Sequence, residues 1–214
     1  MTWVPNNLDR IAELTWAHVQ LAGIPLLLGL LIAVPLGWAA HRWRRVRPVL
    51  VVGTGLLYTI PSLALFVLMP LVLGTRILDP INVVVAMTIY TLALLVRTVA
   101  DGLDSVPEHV TAAASAMGYG RLARAVAVEL PLAVPVIAAG LRVAAVSNVS
   151  IVSVASLIGV AQLGTLLTDG YNRAYPEVLL AGIVATLILA LVFDLLIVLV
   201  SRVLTPWVRA GGGS

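Results

Sequence analysis

Few side chains in this sequence can do chemistry, and most of those that can are set among apolar neighbours. Arg142 and Asp194 each fall inside a long hydrophobic run. Charges so placed are costly unless they pair or face water. If both runs are membrane helices, Arg142 lies about eleven residues and Asp194 about ten residues from the same membrane face, which puts them at similar depth. A structural ion pair, a substrate ligand and an ion relay are the roles open to them, and holding antiparallel neighbours in register needs only the first. Ser147, Asn148, Ser150, Ser153 and Ser156 make a second polar group. The last three recur along one helix side, either lining a polar route, with Asn148 beside it, or allowing small-residue packing between helices. Pro61 and Ser62 interrupt another apolar run, as a kink or as a break that opens backbone carbonyls to a pathway.

Other chemistries lack their residues. There is no cysteine, which removes disulfides, thiolate metal sites and a thiol nucleophile. All thirteen basic residues are arginine, so no glycine-rich phosphate loop with its lysine can be assembled, and no nucleic-acid-binding face is indicated. His18, His41 and His109 share no ligand spacing and are assigned to the outer boundary and two inner loops, so no metal site is expected. Tyr58, Tyr90 and Tyr119 could form an aromatic cage for a quaternary ammonium group. Their scattered positions suit interface anchoring or packing better.

The elements that position these residues follow from hydropathy. The chain has 214 residues, of which 61% are hydrophobic and 11% charged. That is too apolar for one soluble core, and stretches of roughly 20 apolar residues recur along nearly the whole length. The expected fold is an all-α polytopic membrane protein of about five spans, with residues 1–210 as one domain and Gly211 to Ser214 as a flexible tail. The spans run from about Ala17 to Ala40, Pro48 to Leu73, Ile81 to Val99, Leu130 to Val160 and Val178 to Leu204. A separate interfacial helix is expected over residues 3–16, with Asn7 as its N-cap. Residues 161–177 read as a plain connection.

Arginines concentrate in cytoplasmic loops. Placing His41 to Arg47 inside puts Arg42, Arg44, Arg45, Arg47, Arg97, Arg121, Arg124, Arg202 and Arg209 on the inner side, against Arg10, Arg76 and Arg173 outside. This predicts an N-terminus outside and a C-terminus in the cytoplasm.

The longest polar segment, 100–129, is too charged to span and is patterned for two short helices separated by Gly118-Tyr119-Gly120. Ser105-Val106-Pro107-Glu108 reads as a capping box that starts the first of them. The helix continues through Ala112, Ala113 and Ala114, whose small side chains let another protein approach closely, and Gly118 supplies the left-handed residue that stops it. Such an element is a docking lever or an ordinary amphipathic connector.

From Ala112 the text is Ala-Ala-Ala, three residues, Gly118, nine residues, Val128, one residue, Leu130-Pro131. It resembles, at identical spacing, the Glu-Ala-Ala loop signature of permease subunits of ATP-binding-cassette (ABC) importers, except that Ala112 stands at the usual Glu position. Glu108, one turn earlier, is the residue placed to supply the missing polar contact. Thr59-Ile60-Pro61-Ser62-Leu63-Ala64-Leu65 looks like a segment of the permeases for glycine betaine, choline and carnitine. Gly140-Leu141-Arg142, Ala155-Ser156-Leu157-Ile158-Gly159 and Leu163-Gly164 are similar to that family's fourth span, while Val160-Ala161-Gln162 departs from its glycine-rich run.

The resemblance covers about residues 17–204 and implies a type I ABC importer permease of a bacterial inner membrane. It implies a second permease copy or related chain, separate ABC ATPase subunits that carry ATP and Mg, and an extracytoplasmic substrate-binding protein. The chain itself would be a transport subunit without cofactor, not an enzyme. A methionine permease shares the five-span layout, and an ion-coupled secondary transporter or a membrane scaffold are further readings. The stretch Thr59 to Leu65 argues against the first, the lack of visible internal inverted repeats against the second, and the loop signature against the third.

Overall fold

The computed structural model describes residues 3–207, so Arg209 and the tail 211–214 lie outside the described residues. All regular structure among those residues is helical. Helix α1 (Leu8–Arg42) is followed by α2 (Arg47–Leu57), α3 (Ser62–Leu73) and α4 (Pro80–Asp104). The short α5 (Glu108–Ala116) and α6 (Arg121–Arg124) lead through a π turn, Ala125–Glu129, into α7 (Leu130–Val152). A 3-10 turn, Ser153–Ile158, then joins α8 (Gly164–Asn172) and α9 (Pro176–Leu204).

Four helical stretches are long and apolar enough to cross a membrane, and α2 with α3 makes a fifth if that pair, bent by 101°, is counted as one span. The five expected spans are all found, but the second is broken. Helix α4 is the hub, with 67% of its most apolar window buried inside the chain, against 6% for α9, whose apolar surface is left to lipid or to another subunit. Helix α1 lies along α4, α7 packs against both, and α9 packs against α7 and α8.

Close backbone approach makes that packing possible. A Cβ on Gly29 would sit 2.4 Å from Thr91, one on Gly37 2.5 Å from Val99, and one on Gly140 2.2 Å from Thr98. Without a hydrophobic drive between helices in lipid, such small-residue contacts and buried hydrogen bonds hold a bundle together. Asn148 supplies one of the latter, its Nδ2 donating to Thr91 Oγ1 at 2.9 Å and to the Ala22 carbonyl at 3.3 Å, which joins α7, α4 and α1.

Four expectations change here. No separate interfacial helix precedes the first span, because α1 is continuous from Leu8 and carries Pro25 and Pro35 within it. Asn7 does not cap it, its amide instead donating to the Trp3 carbonyl at 2.8 Å. The second short helix of the polar segment is not separate either, since Arg121–Ile158 forms one continuous helical stretch. The π turn within that stretch has a local cause: Pro131 lacks an N–H and its ring crowds the carbonyl four residues back, at Ala127. The connection 161–177 holds a helix of its own, α8.

Candidate functional site: the coupling loop and the broken span

At the arginine-rich end of the bundle, α4 stops at Asp104 and Ser105 caps it, with φ −74° and ψ −12° and its hydroxyl donating to the Gly102 carbonyl at 2.7 Å. The expected capping box is therefore not formed. An N-cap needs extended backbone, and the residue that has it is Pro107, at ψ 137°. Glu108 becomes the first residue of α5, exposed, where its charge suits the helix N-terminus.

The stop is as expected. Gly118 takes φ +87°, the Tyr119 amide donates to the Ala114 carbonyl at 3.1 Å and the Gly118 amide to that of Ser115 at 3.0 Å. These are the two bonds of a Schellman ending. Ala114 is buried against the bundle, whereas Ala112 and Ala113 face outward. Met117, Leu122 and Val126 leave 71%, 67% and 60% of their surfaces open, an apolar edge beside the alanines. Leu130 and Pro131 are half-buried at the start of α7.

Glu108 does not supply the polar contact missing at Ala112: its carboxylate has no partner among the described residues. Arg124 and Glu129 do. Arg124 Nε donates to buried Glu129 at 2.6 Å and its NH1 to Ser115 Oγ at 2.7 Å, tying α5 to the π turn. A separation of five residues suits the wider π register.

A second cluster, also missed from sequence, braces the last turn of α4. Asp104 accepts from His41 at 2.5 Å and from Arg47, while Asp101 accepts from Arg47 at 2.9 Å. It joins α1, α2 and α4 directly ahead of the coupling helix. Two acids three residues apart, opposite an arginine run, were the signal for it.

The break between α2 and α3 centres on Tyr58 to Pro61. Pro61, at ψ 131°, precedes Ser62, the first residue of α3. The Tyr90 hydroxyl donates to the Ile60 carbonyl, and Tyr58 packs edge-on against Tyr90 with ring centroids 5.4 Å apart. The two rings brace the bend, while Tyr119 lies away in the coupling loop, so the three tyrosines make no cage. Helix α3, the second half of the broken span, packs against the 3-10 turn that begins at Ser153.

The polar residues of α7 divide. Ser150 is exposed and Ser153 half-buried, but Asn148 leaves only 1% of its surface open and is a packing residue of the three-helix contact, not part of an open route. Arg142 and Asp194 meet in a two-pronged pair, Nε to Oδ1 at 2.6 Å and NH2 to Oδ2 at 2.9 Å, which fixes α7 against α9. His18 is fully buried in the bundle, packed against the end of α7 and the segment before α8.

The chain is similar to several known proteins. A "Choline transport system permease protein OpuBB" of Bacillus subtilis is 31% identical over 204 residues, 95% of this chain and 93% of its own. The "Osmoprotectant import permease protein OsmW" of Salmonella typhimurium is 38% identical over 206 residues, 94% of each chain. In fold, a chain of the MetNI methionine ABC transporter, solved facing inward, superposes with a TM-score of 0.79 at 20% identity, covering 96% of this chain and 98% of that one. The family described as "Binding-protein-dependent transport system inner membrane component" matches residues 26–210. The chain belongs to that family: it is a multi-pass inner-membrane permease of an ABC importer.

Proposed function

We propose that this chain, a single membrane domain, forms the translocation pathway for a quaternary ammonium osmoprotectant such as glycine betaine, choline or carnitine. Separate ATPase subunits, which bind ATP and Mg, dock on the loop from Ser105 to Pro131 and drive it. The observation that carries this reading is α5: a short helix stopped by Gly118, with Ala112 and Ala113 outward and an exposed apolar edge. A partner seated there pushes on a lever that Arg124 and Glu129 join to α7, so closure of the ATPases becomes rocking of the spans.

On this reading the loop end is cytoplasmic and the N-terminus outside, in line with the arginine distribution. A second copy or a related permease covers the exposed faces of α2, α3 and α7, and an extracytoplasmic binding protein delivers the cargo. The broken span at Pro61–Ser62, with Ser150 and Ser153, borders the pathway. The relatives' names support the cargo, while the methionine transporter is alike at a level that supports fold alone.

The test is uptake into proteoliposomes holding this chain, its ATPase and its binding protein. Labelled glycine betaine, choline or carnitine accumulating only with ATP is the expected result. Uptake of methionine instead overturns the cargo, and uptake that persists without ATPase overturns the coupling.

A further inference from the structure

His18 sits on α1 with none of its surface exposed. Its Nδ1 lies 3.0 Å from Gln162 Oε1 and its Nε2 2.9 Å from the Val149 carbonyl. The Gln162 amide cannot be turned round. Its Nε2 donates to the Val152 and Ser153 carbonyls at 3.0 and 3.2 Å, where α7 tightens into the 3-10 turn, and its Oε1 accepts the Gly164 amide at 2.5 Å. Exchanging O and N would set oxygen against two carbonyls and an NH2 against an N–H. Gly164 has no alternative side chain, since a Cβ there would lie 2.3 Å from the Ser153 carbonyl. Both ring nitrogens therefore face acceptors. A neutral imidazole carries one N–H and one lone pair, so only the doubly protonated ring satisfies both contacts.

We propose that His18 is a positioning residue of the transport cycle, a proton-dependent latch that ties α1 to the end of α7 and the start of α8 at the membrane face opposite the coupling loop. With two protons the ring holds Val149 and Gln162 together. With one, a lone pair faces a lone pair at one contact, and α1 releases one partner. The latch is made at low pH and loosens as pH rises.

No charged side chain on the surrounding helices bonds to the ring. Arg10 on α1 pairs with Asp169 on α8, Arg142 on α7 with Asp194 on α9, Arg97 on α4 with Asp101, and the Trp3 amide donates to Glu177 on α9. Asp9 and Glu13 on α1 are exposed, and Tyr90 on α4 donates to Ile60. Gln162 belongs to the Val160-Ala161-Gln162 stretch where the sequence departs from the family pattern, so the latch is a feature of this chain and does not depend on which cargo is carried.

Two readouts test it without a transport assay. In nanodiscs of the His41→Gln, His109→Gln variant, His18 is the only histidine, and nitrogen-15 NMR reports its protonation directly. Ala161 lines an outer cleft with Gln20 and Ile24, and the cysteine-free chain lets Ala161→Cys be labelled cleanly. Its labelling rate is divided by that of the exposed Tyr171→Cys, to remove the pH dependence of the thiol itself. Both nitrogens are expected to be protonated at the acid end of a series from about pH 4.5 to 8, and the rate ratio to rise about fivefold across it, the equivalent of one hydrogen bond lost. A ring that stays a single neutral tautomer throughout, or a rate ratio that is flat with pH, overturns the proposal.

Discussion

The two ends of the bundle are held by different means. At the coupling end the helices meet through charged side chains, most of which water reaches: His41 and Arg47 on Asp104, Arg47 on Asp101, and Arg124 on buried Glu129. Beside them Met117, Leu122 and Val126 stand uncovered. At the opposite end the joint is buried and amide-rich, with Gln162 satisfying the carbonyls that α7 leaves at its last turn and the first amide of α8. The Arg10 to Asp169 pair lies on its surface, at 2.6 Å. An end that receives another protein keeps apolar surface open and sets its geometry with directional charges. An end that must seal leaves little polar surface unbonded.

Substitutions break this contrast to different degrees. The largest effect is expected from Gly118→Trp and Ala113→Arg. The first forces a bulky residue to φ +87°, a left-handed position costing about 1–2 kcal/mol, and the second puts a charge on the docking face. In pull-downs of the solubilised chain expressed with its neighbouring genes, both are expected to lose the ATPase that the native loop retains. Arg124→Ala comes next, because it strands the buried Glu129 carboxylate. With Arg124 itself partly exposed, a cost of about 2 kcal/mol and a fall in Tm of ~4–8 °C are expected, with transport per ATP falling further than stability does.

Exchanging the partners of the α7 to α9 pair sharpens the reading of Arg142 and Asp194. Arg142→Asp and Asp194→Arg are each expected to lower Tm and the double swap to recover part of the loss, whereas no recovery shows that they do not act as a pair. The smallest effect is expected at the contact of α1, α4 and α7. A double-mutant cycle on Thr91→Val and Asn148→Ala is expected to give a coupling of about 0.6 kcal/mol, the average for hydrogen bonds between membrane helices.

Much of this could be read from the chain itself. Hydropathy marks every span, and Gly118 marks the end of α5 because few other residues take a positive φ. Equal depth in two apolar runs was enough to pair Arg142 with Asp194. Other features depend on which face of a helix meets which neighbour. Periodicity put Asn148 beside the serines, yet its own side points into the α1, α4 and α7 contact. Pro61 announced a break, but the 101° bend belongs to the packing of α3 on α4 and the Tyr90 brace. Ser105 lost its expected cap because α4 runs on to it. His18 gave no signal at all: its partner Gln162 is 144 residues away, in a stretch notable only for departing from a family pattern. The polar contact sought at Glu108 turned up at Glu129, where a π turn changes the helical register that spacing rules assume.

The central claim is that the α5 end, and not the His18 end, receives the ATPase. A photo-crosslinker attached at Ala113→Cys and, separately, at Ala161→Cys reads both ends in the same membranes. An ATPase adduct is expected from position 113 and none from position 161. An adduct from 161, or none from 113 while the complex remains assembled, contradicts it.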